Sequence, residues 1–487
     1  MTDRVNVSIT WGAPSTAPND VMDRVRGSIT FTYGRSNGSA LDSTVAGTGS
    51  LSLDNKSRDY SPLNTGSPVY GYVKPSRPVT VTRTVGATTY VIAAMHTDDN
   101  PVNPDLTSKL SQFTMVDYLA DFRGKSISTQ LYRGIRPGEA MGVILDTIGF
   151  TGPRDIDFGA TVMPYWWLDN KDAFEALTEL VATEGAPALL CVTDTGGIMF
   201  RSRHHRFTRS ASKNIQGTWR GGETDPEPVM APGFTYNTAW QNVVNDVSFT
   251  VTRRAPAAKR SVVWTSDQPI SFAGGESKQF TIRTDEPFMD AVDLEYGRDI
   301  QGGLVFASSL SRYSGQNTTV TLTAPLVMLG QRSIDKLQLR ARSVPAGESI
   351  QVTASDSASI VDYGSRGAPS GSEPVWAGQF DAQAIADLLV LQRAQPLPIL
   401  TVRFNCAAST VTRLARVLSR DLSDRVKVIE PETFLNNEFF VESITHVIQG
   451  LTEHEVTFQM EGVPALPAVP PFIIGTSAIG GTDVLGI

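Results

Sequence analysis

Cysteine is scarce in this chain. Its 487 residues include two, Cys191 and Cys406, far apart and each among apolar neighbours. That excludes a disulfide-stapled scaffold and reads as two buried free thiols. Charge is also scarce: Asp, Glu, Lys and Arg make up 19% of the chain, with a net charge of −8. A protein that grips nucleic acid through its phosphates should be basic, so sequence-specific DNA binding is disfavoured. A like-charged surface that DNA slides past without sticking stays allowed. The five histidines are His96, His204, His205, His446 and His454, and none stands at metal-ligand spacing from Cys or carboxylates. A phosphate-cradling Gly-rich loop, a paired-histidine zinc helix and a nucleophile-elbow serine are all missing.

Long apolar runs are lacking too. The opening MTDRVNVSITW is a charged, alternating strand without an apolar signal core. The uncharged stretch Gly462 to Thr482 is interrupted by Pro464, Pro467, Pro470 and Pro471, which no membrane helix would carry. The expectation is a chain made in the cytoplasm that stays soluble or is assembled there. What is plentiful is Gly, Ser and Thr, which favours a mainly β chain with many turns. The length exceeds one hydrophobic core, so three or four domains are expected.

The most informative stretch runs from Asp421 to Glu461. Its last strand alternates strictly, with His454, Val456, Phe458 and Met460 on one face and Glu455, Thr457, Gln459 and Glu461 on the other. Val426 and Val428 mark a shorter strand closed by Pro431, Asn436-Asn437 is a turn signal, and Phe439 to Ile448 is a third strand with mixed faces. This is a β-meander with no catalytic motif, a packing unit.

Taken in order, residues 1–122 read as a small β-barrel or sandwich. It opens with the alternating Val5, Val7, Ile9 and Trp11. Residues 123–235 form an α+β module. In it Glu139 to Gly149 is helical, and Lys171 to Gly185 is the clearest helix, capped by Asp169 or Asn170 and stopped by Gly185. A hairpin follows, Ala188 to Thr193 turning into Ile198 to Arg201. Trp240 to Arg253 is a strand, and 261–365 reads as an inserted β-sandwich. Residues 366–375 are a linker by composition, Asp381 to Arg393 is a helix, and Thr410 to Ser419 is a short one. The second β-unit is 236–260 together with 376–461, and 462–487 is an extended C-terminal tail.

Chemistry-bearing residues each admit a plainer reading. His204-His205 lies among Arg201, Arg203, Arg206 and Arg209. This is either a basic patch touching DNA or an acidic partner, or an exposed strand end protected by charge. Asp98-Asp99 and Asp155/Asp157 are carboxylate pairs of the kind glycosidases use, a weak signal in a chain with 50 acidic residues. His454 between two glutamates is a proton or metal site, or a packed histidine. Trp166-Trp167 is a sugar platform, or an anchor to a core or interface. Trp264 and Tyr313 are stacking residues for a glycan on the sandwich, or core aromatics.

Several stretches carry a resemblance in order along nearly the whole chain. These are LSLDNKSRDYSPLN (Leu51 to Asn64), KPSRPVTV (Lys74 to Val81), and DAFEALTELVATEG with GGIMFRSR (Asp172 to Arg203). Then come VVNDVSFTVTR (Val243 to Arg253), DKLQLRAR (Asp335 to Arg342) and SDSASIVDYGSR (Ser355 to Arg366). LSRDLSDRVKV (Leu418 to Val428), FFVESITHVI (Phe439 to Ile448) and FIIGTSAIGGTDVLG (Phe472 to Gly486) complete the series. Each is weak alone; in sequence they are specific. The chain resembles the tail hub, also called baseplate hub or minor tail protein, of long-tailed actinobacterial phages. That family is similar to contractile-phage baseplate hubs and type VI secretion spike hubs. Leu190-Cys191 and Thr195 depart from the family's simple Asp/Gly hairpin turn.

The resemblance implies two tail-tube-like β-barrels in one chain, with accessory domains outside them. It implies a homotrimer at the distal tail tip that adapts a sixfold tube to a threefold tip and holds the end of the tape-measure protein. It contacts a distal tail ring or tube and other tip or fibre proteins, and opens for genome ejection. DNA passes without sequence-specific binding, and the −8 charge is compatible with an anionic lumen. A structural virion protein of this kind has no catalytic, cofactor-binding or metal residues to name. The rivals are a tail-associated cell-wall hydrolase and a host-glycan-binding tip protein.

Overall fold

The computed structural model describes residues 4–12, 19–43, 45–98, 103–105, 107–221, 234–296, 306–327, 330–406, 411–450 and 453–464. The protein is mainly β with an α+β module. It is organised around one 13-stranded sheet that takes in both the first and the last described strands. From one margin the main path runs through Arg4–Ile9, Pro78–Val85, Thr88–Thr97, Leu110–Val116, Thr48–Asp54 and Ser28–Gly34. It continues without a break into Leu435–Gln449, Glu453–Gly462, Ile399–Asn405 and Thr235–Asn237. The seam is the antiparallel ladder of Ser28–Gly34 against Ser443–Gln449. No sheet closes on itself among the described residues.

Period-two patterning explains why these strands form. In Arg4–Ile9 the residues Val5, Val7 and Ile9 are fully buried, and Asn6 and Ser8 between them are half-exposed. Each half of the sheet packs on its own core. One gathers Val5, Val7, Trp11, Phe31 and Phe113; the other gathers Trp219, Phe404, Phe439, Val456 and Phe458. Trp219 reaches the second core from Ile215–Arg220, which pairs in parallel with Arg425–Glu430.

The closing meander is observed as Arg425–Glu430, Leu435–Gln449 and Glu453–Gly462. Asn436 and Asn437 do not turn the chain. They lie in the second strand, paired to Ile429 and Val428. The reversal is made by Pro431–Thr433 and by Phe434 at φ 57°. Proline fixes the first turn position, and the left-handed residue completes it.

In the α+β module the helices are Pro137–Thr147 and Ala173–Glu184. The second is capped by Asp172, whose Oδ1 accepts from the Glu175 amide at 3.0 Å, and not by Asp169 or Asn170. Those two still belong to the strand Met163–Asp172. The hairpin Leu189–Val192 with Ile198–Arg201 forms as the sequence suggests, with Arg154–Ile156 added in parallel.

Asp246–Arg254 lies outside the large sheet. It pairs with Ala346–Ser355 as a ribbon, and the helix Gln379–Arg393 packs on it through Ile385, Ala386 and Leu389. Trp240 is in a short 3-10 turn before that strand, not in it. The region from Ser261 to Ser343 folds as three small sheets around Phe272, Phe288, Val320 and Leu339. Where composition suggested only strands and linker, Ser357–Tyr363 is a helix capped by Asp356. No helix among the described residues is long and apolar enough to cross a membrane. The Phe472–Gly486 motif and the tail beyond Pro464 lie outside the described residues.

Candidate functional site

Most of the candidates for chemistry are committed to partners within the chain. The basic stretch Arg201 to Arg209 is not an exposed strand end. Arg201, Arg203, His205 and Arg206 are buried. Arg201 reaches Asp155 at 2.5 Å, and Arg209 reaches both Asp155 and Asp157 at 2.9 and 3.2 Å. The Arg201 hydrogen bond holds the Asp155 carboxyl down at about 2. A carboxylate pair committed to arginines is poorly placed to act as acid and base. Asp98 is described and Asp99 is not, so the other proposed pair lies partly outside the described residues. Arg203 donates to the Thr161 hydroxyl at 2.5 Å and to the Glu184 carbonyl at 3.1 Å.

The strongest ionic cluster lies at the seam. Glu442 is fully buried and accepts from Arg35 Nε at 2.9 Å and from Arg206. Glu461, also fully buried, accepts from both Arg393 terminal nitrogens at 2.6 and 2.7 Å, from the Ser39 hydroxyl at 2.7 Å and from the Ala40 amide at 3.1 Å. Arg35 donates further to the carbonyls of Pro187 and Ala188 at 2.9 and 2.7 Å. One cluster therefore ties together the first unit, the α+β module, the Gln379–Arg393 helix and the closing meander. Strict alternation had placed Glu461 on the polar face. The available signal was the acid Glu442 inside the apolar run FFVESITHVI, since a buried carboxylate needs a cation.

His446 and His454 face each other with Nδ1 and Nε2 2.8 Å apart, and His446 stacks on Phe31 at 4.7 Å. Burial pushes His446 down to about 3 and His454 well below its ordinary value, so both are neutral rings sharing a hydrogen bond. His454 is thus a packed histidine. No group of three metal-ligating side chains gathers among the described residues. Trp166 is fully buried. Trp167 is 8% exposed, lies edge-on to Trp376 at 5.1 Å, carries Arg254 over its ring at 4.8 Å and donates to Gln316 at 3.2 Å. It is an anchor between the module and the inserted region. Trp264 packs against the core of the insertion, while Tyr313 is 43% exposed. Cys191 and Cys406 are free and buried.

The extended feature that remains is the outer face of the large sheet. Residues opposite one another in the ladders line up in rows across six strands and over the seam. One row is Arg403, Thr457, Thr445, Thr32, Thr48 and Val116. The next is Asn405, Glu455, Val447, Thr30, Ser50 and Thr114. The Thr32 and Thr445 hydroxyls hydrogen-bond across the seam at 2.9 Å. The only charges in these rows, Arg403 and Glu455, pair with each other at 3.3 Å. These two rows are partly exposed throughout and rich in hydroxyls, and Glu453 adds a carboxylate in the row beyond them, opposite Gln449.

No protein-family model matches the chain, and no curated protein matches it. Among solved structures, it is similar to the 43 kDa tail protein of prophage MuSo2 from Shewanella oneidensis. That match has a TM-score of 0.48 and 11% identity, over 94% of this chain and 98% of that one. It is similar to a tail protein from Neisseria meningitidis MC58 with a TM-score of 0.47 and 9% identity, over 94% and 96%. It is similar to the E. coli c3393 protein, a component of the type VI secretion system, with a TM-score of 0.39 and 8% identity, over 96% and 81%.

Proposed function

We propose that this chain is a structural hub of a phage tail tip. The observation that carries the reading is the pair of β-units, each with its own core, joined edge to edge by the Ser28–Gly34 ladder into one sheet. The ordered motifs from Leu51 to Ile448 support it from the sequence side. A chain that presents two adjacent tube-like units supplies two positions of a ring. Three such chains make a ring of six positions with threefold symmetry, held by heterologous contacts that close. That ring matches a sixfold tube above and a threefold tip below.

In this reading the homotrimer sits at the distal end of the tail, below the tube or a distal ring, and binds the end of the tape-measure protein. It opens for DNA passage when the tip meets the host, here a long-tailed phage of an actinobacterium, in whose cytoplasm the tail is assembled. Antibody labelling of this protein on intact particles, viewed by negative-stain electron microscopy, tests the placement. Label confined to the end distal to the head is expected. Label along the whole tail or on the head overturns the hub reading.

A further inference from the structure

Resting on the hub reading, we propose that neighbouring copies of this chain lock together through the turn Pro431–Phe434, whose Phe434 side chain inserts into an arginine-lined aromatic pocket of the next copy. The pocket has a volume of about 400 Å³ and opens where the α+β module, the Asp246–Arg254 strand and the start of the Gln379–Arg393 helix meet. Tyr165, Trp167 and Trp376 wall it. Val375 and Phe380 stand at its rim, 58% and 88% exposed. Apolar side chains left in water around an aromatic pocket mark a surface that another protein covers.

Charge sets what the pocket takes. Successive strand residues normally point to opposite faces, yet Thr252, Arg253 and Arg254 all line it. The ladder to Ala346–Ser355 shifts register between Thr252 and Arg254, and this bulge turns both arginines to the same side. Arg254 lies over the Trp167 ring and reaches Glu286 at 3.2 Å. Arg253 is exposed and has no ion-pair partner among the described residues. No carboxylate among the described residues lines the pocket. It therefore suits a large apolar side chain with an acid beside it.

The chain itself presents that group. Phe434 is 94% exposed, the most of any large apolar side chain among the described residues. It adopts φ 57°, a left-handed conformation that a bulky residue rarely takes. Glu430 and Glu432 stand in the same turn, and Glu432 is exposed. One patch is thus an apolar anchor beside carboxylates, and the other an aromatic hole beside arginines. They are complementary in form and in sign of charge. Because the two patches differ, the contact is heterologous, and copies related by it form a ring when the rotation closes. The proposed threefold ring needs a contact of this kind.

The test uses assembled particles. Both native cysteines are buried, so Phe434→Cys with Val375→Cys offers an accessible thiol on each patch. A short bis-maleimide should link chains of the double variant into dimers and trimers on a denaturing gel, and should leave either single variant at the mass of one chain. Particles that carry the protein at the tail tip, by antibody label, but yield no linked chains overturn the contact and leave the hub reading standing. A Val375→Cys chain linked to a different tail protein gives the pocket another occupant and also overturns it. Absence of tip label fails the hub reading itself.

A charge exchange decides the matter if the thiols block assembly. Arg253→Glu and Glu432→Arg should each lower the yield of infectious particles about tenfold, since like charges then face each other, and the two together should restore it. Unchanged yield in both single variants, or an exchange that fails to restore it, overturns the contact.

Discussion

Glu442 and Glu461 show why single residues at the seam should be intolerant of change. Both carboxylates are fully buried and hold arginines from other parts of the chain. Removing one partner of such a pair strands the others without water, a loss of roughly 3–5 kcal/mol. Glu442→Ala should therefore lower the urea midpoint far more than Glu175→Ala, whose exposed pair with Lys171 at 2.6 Å is worth well under about 1 kcal/mol. Equal midpoints for the two variants would show that the cluster does not hold the seam.

Asp117 gives a pH dependence of definite sign. Burial raises its carboxyl to about 6 from the ordinary 3.8, against hydrogen bonds from the amides of Gly47 at 2.6 Å and Leu119 at 2.9 Å. Burial raises Asp424 to about 6 as well. An acid whose folded pKa is raised binds its proton more tightly when folded. Its contribution therefore favours the fold below about 4 and is lost as pH rises toward 6. Asp155, held at about 2 chiefly by Arg201, works in the opposite direction and in a lower window, losing its contribution as pH falls from about 4 toward 2. Denaturant midpoints measured at pH 4.5 and 7 should differ less in Asp117→Asn than in the wild type. An unchanged difference would remove Asp117 from the account.

At the scale of elements, what could be read in the sequence was what neighbours along the chain decide. The alternation from His454 to Met460 is local, and those four residues are buried as their period requires. The helix Ala173–Glu184 was legible from its apolar stripe and from Gly185, and only its cap was displaced, to Asp172. The helix Ser357–Tyr363 had its signal too, an Asp356 cap, but it lay at the end of the stretch that reads as the inserted β-sandwich. What was not legible depends on partners far away. Glu461 breaks the alternation because Arg393 waits for it 68 residues earlier. The seam joins Thr32 to Thr445 across 413 positions, a pairing no local pattern encodes. The basic stretch Arg201 to Arg209 looked like surface because its carboxylates, Asp155 and Glu442, come from elsewhere.

The Trp167 anchor is the element-scale contact that joins the inserted region to the α+β module. Asp169 adds an ion pair to Arg283 at 3.2 Å and accepts from Asn317. A Cβ on Gly315 would come within 2.6 Å of the Trp167 ring, so a larger residue there must displace the tryptophan. Trp167→Ala and Gly315→Ala should each free the insertion. Limited proteolysis should then release a fragment beginning between Arg253 and Ser261 while the large sheet stays protected. Wild-type resistance in both variants would show that the anchor does not fix the two parts.

At the scale of the whole molecule, the proposed hub needs the two β-units to act as adjacent positions of one closed ring. Two cores that meet at Tyr33 and Leu418 back the two halves, and the shared sheet joins them. In the proposed reading, the seam and its buried charges serve assembly by making one chain carry a rigid pair. Copies per particle, counted by quantitative mass spectrometry against a capsid protein of known number, test this most directly. Three copies per tail are predicted. Six copies, or a number that grows with tail length, would contradict it.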